Sequence, residues 1–143
     1  MGANSPSLAA RTQRRAFELA AATITACRHL PRSPETSVIR WQLVRSVTSV
    51  AANYRAACRA QSAKTFVAKI SIVIEEADEV LLWLNLLVRV TLAKRETIRP
   101  LAIEADELVR ILVASRKTMQ GRLRKASESN RQSSIVNRQG TAS

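Results

Sequence analysis

The stretch Leu43-Val-Arg-Ser-Val-Thr-Ser-Val-Ala-Ala-Asn-Tyr-Arg-Ala-Ala-Cys-Arg-Ala60 decides the fold. Its apolar residues recur at intervals of three and four. At about 100° per residue, Ile39, Leu43, Val47, Val50, Tyr54 and Ala57 fall within an arc of about 80°. That is one buried face of a helix; a half-buried strand would alternate instead. Arg45, Arg55 and Arg59 fall on the opposite side, together with Trp41. Ser46, Ser49 and Asn53 lie on the flank between the two faces. Small polar groups there permit close approach of a helix or a subunit, and Asn53 can hydrogen-bond a neighbouring backbone or Glu. The pattern predicts a helix over about 35–60.

Working outward, the same spacing predicts three more helices. Upstream, Phe17, Ala20, Ala21, Ile24 and Cys27 form a stripe in a helix over about 12–28, after a frayed, polar start at 1–9. Pro31 and Pro34 then enforce a turn. Downstream, Ser62 reads as an N-cap for a helix over 63–92. Its main stripe is Phe66, Ile70, Val73, Ala77, Val80, Leu84, Leu87 and Val88. A second stripe mixes acids with bulky groups: Ile72, Glu76, Glu79, Trp83 and Leu86. Glu76, Glu79 and Trp83 are read as helix or subunit contacts. A fourth helix is expected from about Thr97 to Lys125, with Pro100 in its first turn and Leu101, Leu108, Ile111, Leu112 and Met119 on its apolar face. Residues 127–143 are Ser/Asn/Gln-rich and read as a disordered polar tail. Short connections make this an all-α, antiparallel up-down-up-down four-helix bundle over 10–126.

The composition closes other routes. In 143 residues there are three glycines, at positions 2, 121 and 140. A phosphate-binding glycine loop or a dinucleotide fingerprint therefore cannot be built. Hairpin-rich sheets are disfavoured for the same reason. The longest uncharged apolar runs are about nine residues, far below the roughly 20 that span a bilayer. Cys27 and Cys58 can pair or stand as small buried hydrophobes, and so sparse a cysteine content fits a reducing compartment better than a disulfide framework. The acids Glu75, Glu76, Asp78 and Glu79, with Glu104, Asp106 and Glu107, evoke a metal carboxylate bundle. Such bundles pair Glu-x-x-His motifs, and the single histidine, His29, has no Glu three residues before it. No catalytic residue, metal or cofactor is predicted.

Charge is the strongest functional signal. There are 23 Lys+Arg against 11 Asp+Glu, a formal net charge of +12. Residues 62–92 carry −1, whereas residues 93–126 carry +5 and residues 31–61 carry +4. An excess this segregated points to an anionic partner, most simply nucleic acid, although a charged surface also serves solubility. Arg45, Arg55 and Arg59 are candidate phosphate ligands, with Arg116, Lys117, Arg122, Arg124 and Lys125 as a second patch. Trp41 among arginines suits either base stacking or subunit packing. Aromatics make up 3% of the chain, so binding should depend on phosphates and shape more than on base identity. The alternative is a protein-interaction scaffold whose charge only steers a partner.

The 43–60 stretch, followed by Ser62, Lys64, Phe66, Lys69 and Ile74-Glu-Glu-Ala-Asp-Glu79 with Trp83-Leu84, resembles the four-helix-bundle proteins of the 23S rRNA-intervening-sequence family. Leu30-Pro31 and Glu104-Ala-Asp-Glu-Leu108 with Ile111-Leu112 extend the likeness over about 12–119. The chain is similar also to the accessory variability protein of diversity-generating retroelements. The resemblance implies a bacterial, cytoplasmic, non-enzymatic homo-oligomer, with a pentamer as the form taken by that relative. It implies RNA or DNA as partner, and a reverse transcriptase or ribosomal RNA as setting. Helix one matches the family only loosely, and the polar tail lies outside it.

Overall fold

The computed structural model describes residues 4–141. Among them are four α-helices and no strand: α1 Leu8–Cys27, α2 Pro34–Cys58, α3 Ala63–Arg89 and α4 Arg95–Gly140. α1 and α3 each pack on both α2 and α4, so the helices surround one core to which all four contribute.

Serines start three of the helices. The Ser7, Ser33 and Ser62 hydroxyls accept from the backbone N–H groups of Ala10, Thr36 and Thr65 at 3.1, 3.2 and 3.1 Å. Each satisfies an N–H that has no partner inside its helix. The C-terminus of α1 is held from outside. Arg40 of α2 donates to the carbonyls of Cys27 and Leu30 at 3.3 and 3.4 Å, placing a cation at the negative end of the helix. α3 ends in a Schellman arrangement: Leu92 N–H donates to Leu87 C=O at 2.9 Å and Thr91 N–H to Val88 C=O at 3.1 Å. Thr91 takes φ 60° there, a conformation usually left to glycine. A chain without glycine between positions 2 and 121 makes this turn with a β-branched residue instead.

The α2 face is buried as its periodicity requires, Ile39, Leu43, Val47, Val50, Tyr54 and Ala57 all lying in the core. On α3, Ile70, Val73, Ala77, Val80, Leu84 and Leu87 are buried, with Phe66 and Val88 partly buried at the edge. Ile72 of the second stripe is exposed. Tyr54, one turn before Cys58, has its phenol pushed up to about 12, first by burial and then by the neighbouring Cys58 thiol.

The expectation fails in three places. On α1 the core face is Thr12, Ala16, Leu19, Ala20, Thr23 and Cys27, whereas Phe17 is 66% exposed. The buried face of α1 is built mainly from small side chains, and Phe17 falls outside it on the outer side of the helix. α4 begins at Arg95, so Pro100 stands in its second turn rather than its first. The third difference is the largest: the polar stretch from Ser127, expected as a disordered tail, is helical through Gly140. Once the packed part of α4 has formed, each further residue adds a hydrogen bond without a new nucleation cost, and no proline interrupts it.

Candidate nucleic-acid interface

The acids of the bundle are engaged by arginines from neighbouring helices. Arg45 of α2 reaches α3, placing Nη2 2.6 Å from Glu79 Oε1 and Nη1 3.3 Å from Glu76 Oε2. Trp83 Nε1–H donates to the same Glu79 oxygen at 3.1 Å. The Arg45 bond, helped by Trp83, holds the Glu79 carboxyl below the usual carboxylate range. In return Glu79, with Glu76, raises the Arg45 guanidinium above its ordinary value.

Arg15 of α1 does the same for α4. It forms a bidentate pair with Glu104, Nε at 2.6 Å from Oε1 and Nη2 at 3.0 Å from Oε2, and Nη2 also meets Glu107. Glu104 chiefly, and Glu107 with it, raises the Arg15 guanidinium above its ordinary value. Asp106 takes Arg110 of its own helix at 2.9 Å.

The candidate cations therefore divide. Arg45 is engaged inside the bundle, its fork occupied by two carboxylates. Arg116 is half-committed, donating to Ser71 Oγ of α3 at 3.3 Å. Arg55 on α2 and Arg59, which caps its C-terminus, are exposed. Lys117, Arg122, Arg124 and Lys125 are exposed on α4. None of these six makes an ion pair among the described residues. Trp41 is 65% exposed. Ser46 is buried, donating to Gln42 C=O at 2.8 Å and accepting from Arg45 at 3.2 Å. Asn53 donates to Ser49 Oγ at 2.8 Å within α2, where a bond to another backbone or a Glu was expected.

Two features escaped the sequence. Arg15 gave no signal, because one arginine on the polar side of a helix looks like any other. Arg89, Arg95 and Arg99 line one groove of about 680 Å³ where α3 ends and α4 begins. Their convergence needs the short 90–94 turn, which only the fold supplies. At that same end an apolar cavity of about 350 Å³ is lined by Leu43, Leu84 and Leu87 with Cys27, His29 and Lys94. Burial pushes the Cys27 thiol up, away from thiolate chemistry. Neither Cys27 nor Cys58 is in a disulfide.

The family pattern of the 23S rRNA-intervening sequence protein matches residues 10–114. The chain belongs to that family. Consistent with this, it is similar to a crystal structure of a protein of unknown function from the S23 ribosomal protein family of Bacteroides thetaiotaomicron VPI-5482. The identity is 30% and the TM-score 0.69, over 74% of this chain and 98% of that one. No curated protein matches the chain. The family match ends at residue 114, so the later half of α4 lies beyond it. No helix among the described residues is long and apolar enough to cross a membrane.

Proposed function

We propose that this member of the 23S rRNA-intervening sequence protein family is a non-enzymatic, antiparallel up-down-up-down bundle. In this reading it assembles into a cytoplasmic homo-oligomer and binds the phosphate backbone of RNA or DNA. The carrying observation is the separation of charge. Three arginines hold five of the 11 carboxylates, so twenty of the 23 cations face only six remaining acids. Arginine forks with no carboxylate to fill them are ligands for phosphate oxygens. Assembly is supported by the outer α1–α2 groove, which exposed Phe17 lines together with Ala51, Ala52 and Arg55. Trp41 and Val38, also exposed, lie on the same side of α2. A pentamer, and an accessory role beside ribosomal RNA or a reverse transcriptase, are the forms that the family resemblance supports.

Electrophoretic retention of a structured RNA at low salt, with light-scattering mass in parallel, tests the proposal. Retention by an oligomer is expected; a monomer that retains no RNA overturns it. A second reading, a protein scaffold, is favoured by the exposed large apolar side chains of the same two helices, Phe17 on α1 and Val38 and Trp41 on α2. Reversing Arg55 and Arg59 to Glu separates the two. Lost RNA retention supports the nucleic-acid reading. Unchanged retention with loss of a protein partner supports the scaffold.

A further inference from the structure

α4 has 46 residues, against 20, 25 and 27 in α1, α2 and α3. At 1.5 Å per residue it extends about 69 Å, roughly 30 Å longer than its neighbours. From Arg124 to Thr141 every residue is exposed. Two patterns run along this helix, and they part company where the bundle stops.

The first is the seam that packs into the core: Ile98, Leu101, Ala105, Leu108, Leu112 and Met119. Continued at the same spacing it becomes Arg122, Ala126, Ser129, Ser133, Val136 and Gly140. That continuation is too polar to seat a second helix in a coiled coil. The second pattern does not fade. Arg110, Lys117, Arg124, Arg131 and Arg138 recur at every seventh residue, and all are exposed. Each heptad step drifts only about 20° round a straight helix, so the five follow one gently winding ridge over about 42 Å. Arg95 and Arg99, also exposed, lie within about 60° of Arg110 and carry the ridge to the Arg89 groove. Four acids lie within the same arc of about 60° from Arg110: Glu96, exposed and in the same heptad register, Asp106, bonded to Arg110, Glu107, bonded to Arg15, and Glu128.

We infer that this ridge is the docking surface for the phosphate backbone of duplex RNA, an assignment that rests on the nucleic-acid reading above. The ridge carries no aromatic side chain, so it offers no platform for unpaired bases. Its cations follow one winding face. From Arg124 on the helix stands clear of the bundle, but along 95–119 the bundle lies behind it, so over that part α4 can only ride the outside of a duplex. Duplex RNA is recognised in this way, through backbone and shape. The regular cation pitch, about 10.5 Å, belongs to a repeating, rigid polyanion.

The test uses the full chain and a blunt RNA duplex of about 25 base pairs. The set Lys117→Gln, Arg124→Gln, Arg131→Gln and Arg138→Gln removes four ridge cations. A control set, Arg14→Gln, Arg28→Gln, Arg32→Gln and Lys64→Gln, removes four exposed cations elsewhere. Circular dichroism checks that both sets stay helical. The ridge set should lower the slope of log affinity against log salt by about 3, at roughly 0.7–0.9 per lost contact, while the control keeps its slope. Equal loss in both sets overturns the ridge but leaves nucleic-acid binding intact. No binding by the unmodified protein overturns the underlying reading.

Phase gives a second arm at constant charge. Two alanines inserted after Ala126 turn Arg131 and Arg138 about 200° away and should act like their removal. A seven-residue alanine insertion keeps the phase and should preserve affinity. Identical affinity for the two insertions overturns the ridge. Equal or tighter binding of a DNA duplex, or of an acidic peptide, overturns the RNA assignment.

Discussion

The turns Glu76-Ala-Asp-Glu79 in α3 and Glu104-Ala-Asp-Glu107 in α4 have the same four residues and the same job. In each, the two glutamates one turn apart clasp a single arginine from the helix alongside, Arg45 in one case and Arg15 in the other. Ala77 and Ala105 face the core at 2% and 0% exposure, followed by buried Val80 and Leu108. The aspartates point away. The turns differ in shelter. Glu76 and Glu79 are 18% and 30% exposed, against 31% and 54% for Glu104 and Glu107, and Trp83 adds its indole N–H to the first clasp alone. A single motif thus joins α2 to α3 and α1 to α4, and uses up carboxylates that would otherwise cancel the outward charge.

The largest break should come from the alanines. Ala77→Leu and Ala105→Leu force a larger side chain between packed helices and should each cost about 1–3 kcal/mol, measured by urea unfolding. Equal losses would extend the likeness of the two turns into the core. A harmless change at either would show slack there.

The next effect separates the clasps. Glu79→Gln should lower the melting temperature more than Glu107→Gln, because Glu79 serves both Arg45 and Trp83 while Glu107 is more exposed. The reverse order would contradict the shelter argument.

The pH response follows from the sign of the Glu79 shift. Its folded carboxyl is held low, so the contribution is complete above the unfolded value of about 4.3. It is lost as pH falls through the depressed folded value. Stability should therefore fall on acidification through that window, and less steeply in Glu79→Gln. Melting temperatures taken between pH 6 and pH 2.5 measure it.

The smallest effect is a gain. Thr91→Gly relieves the φ 60° conformation at the end of α3 and should raise stability by about 1 kcal/mol. A loss would mean that the Thr91 side chain contributes more than its backbone costs.

The legibility of the fold in the sequence followed the chemistry of each face. α2 and α3 bury branched and large apolar side chains at helical intervals, so their faces were readable. α1 buries Thr12, Ala16 and Thr23, small side chains that the hydrophobic pattern does not mark, and exposed Phe17 draws the predicted stripe about a quarter of a turn off. Among the candidate cations, Arg45 and Arg55 both lie on the side of α2 opposite its core stripe. Which one meets a carboxylate depends on the register of α3 against α2. The end of α4 was misread because composition reports the lack of a core, and a helix propagated from a packed segment needs none.

Carboxylates are used within the bundle, and we propose that the arginines left over face a phosphate polymer. The most direct test of that proposal is the affinity of the full chain for duplex RNA across a salt series. With about six phosphates engaged, log affinity should fall against log salt with a slope of roughly −5. An affinity that does not change with salt would contradict the account.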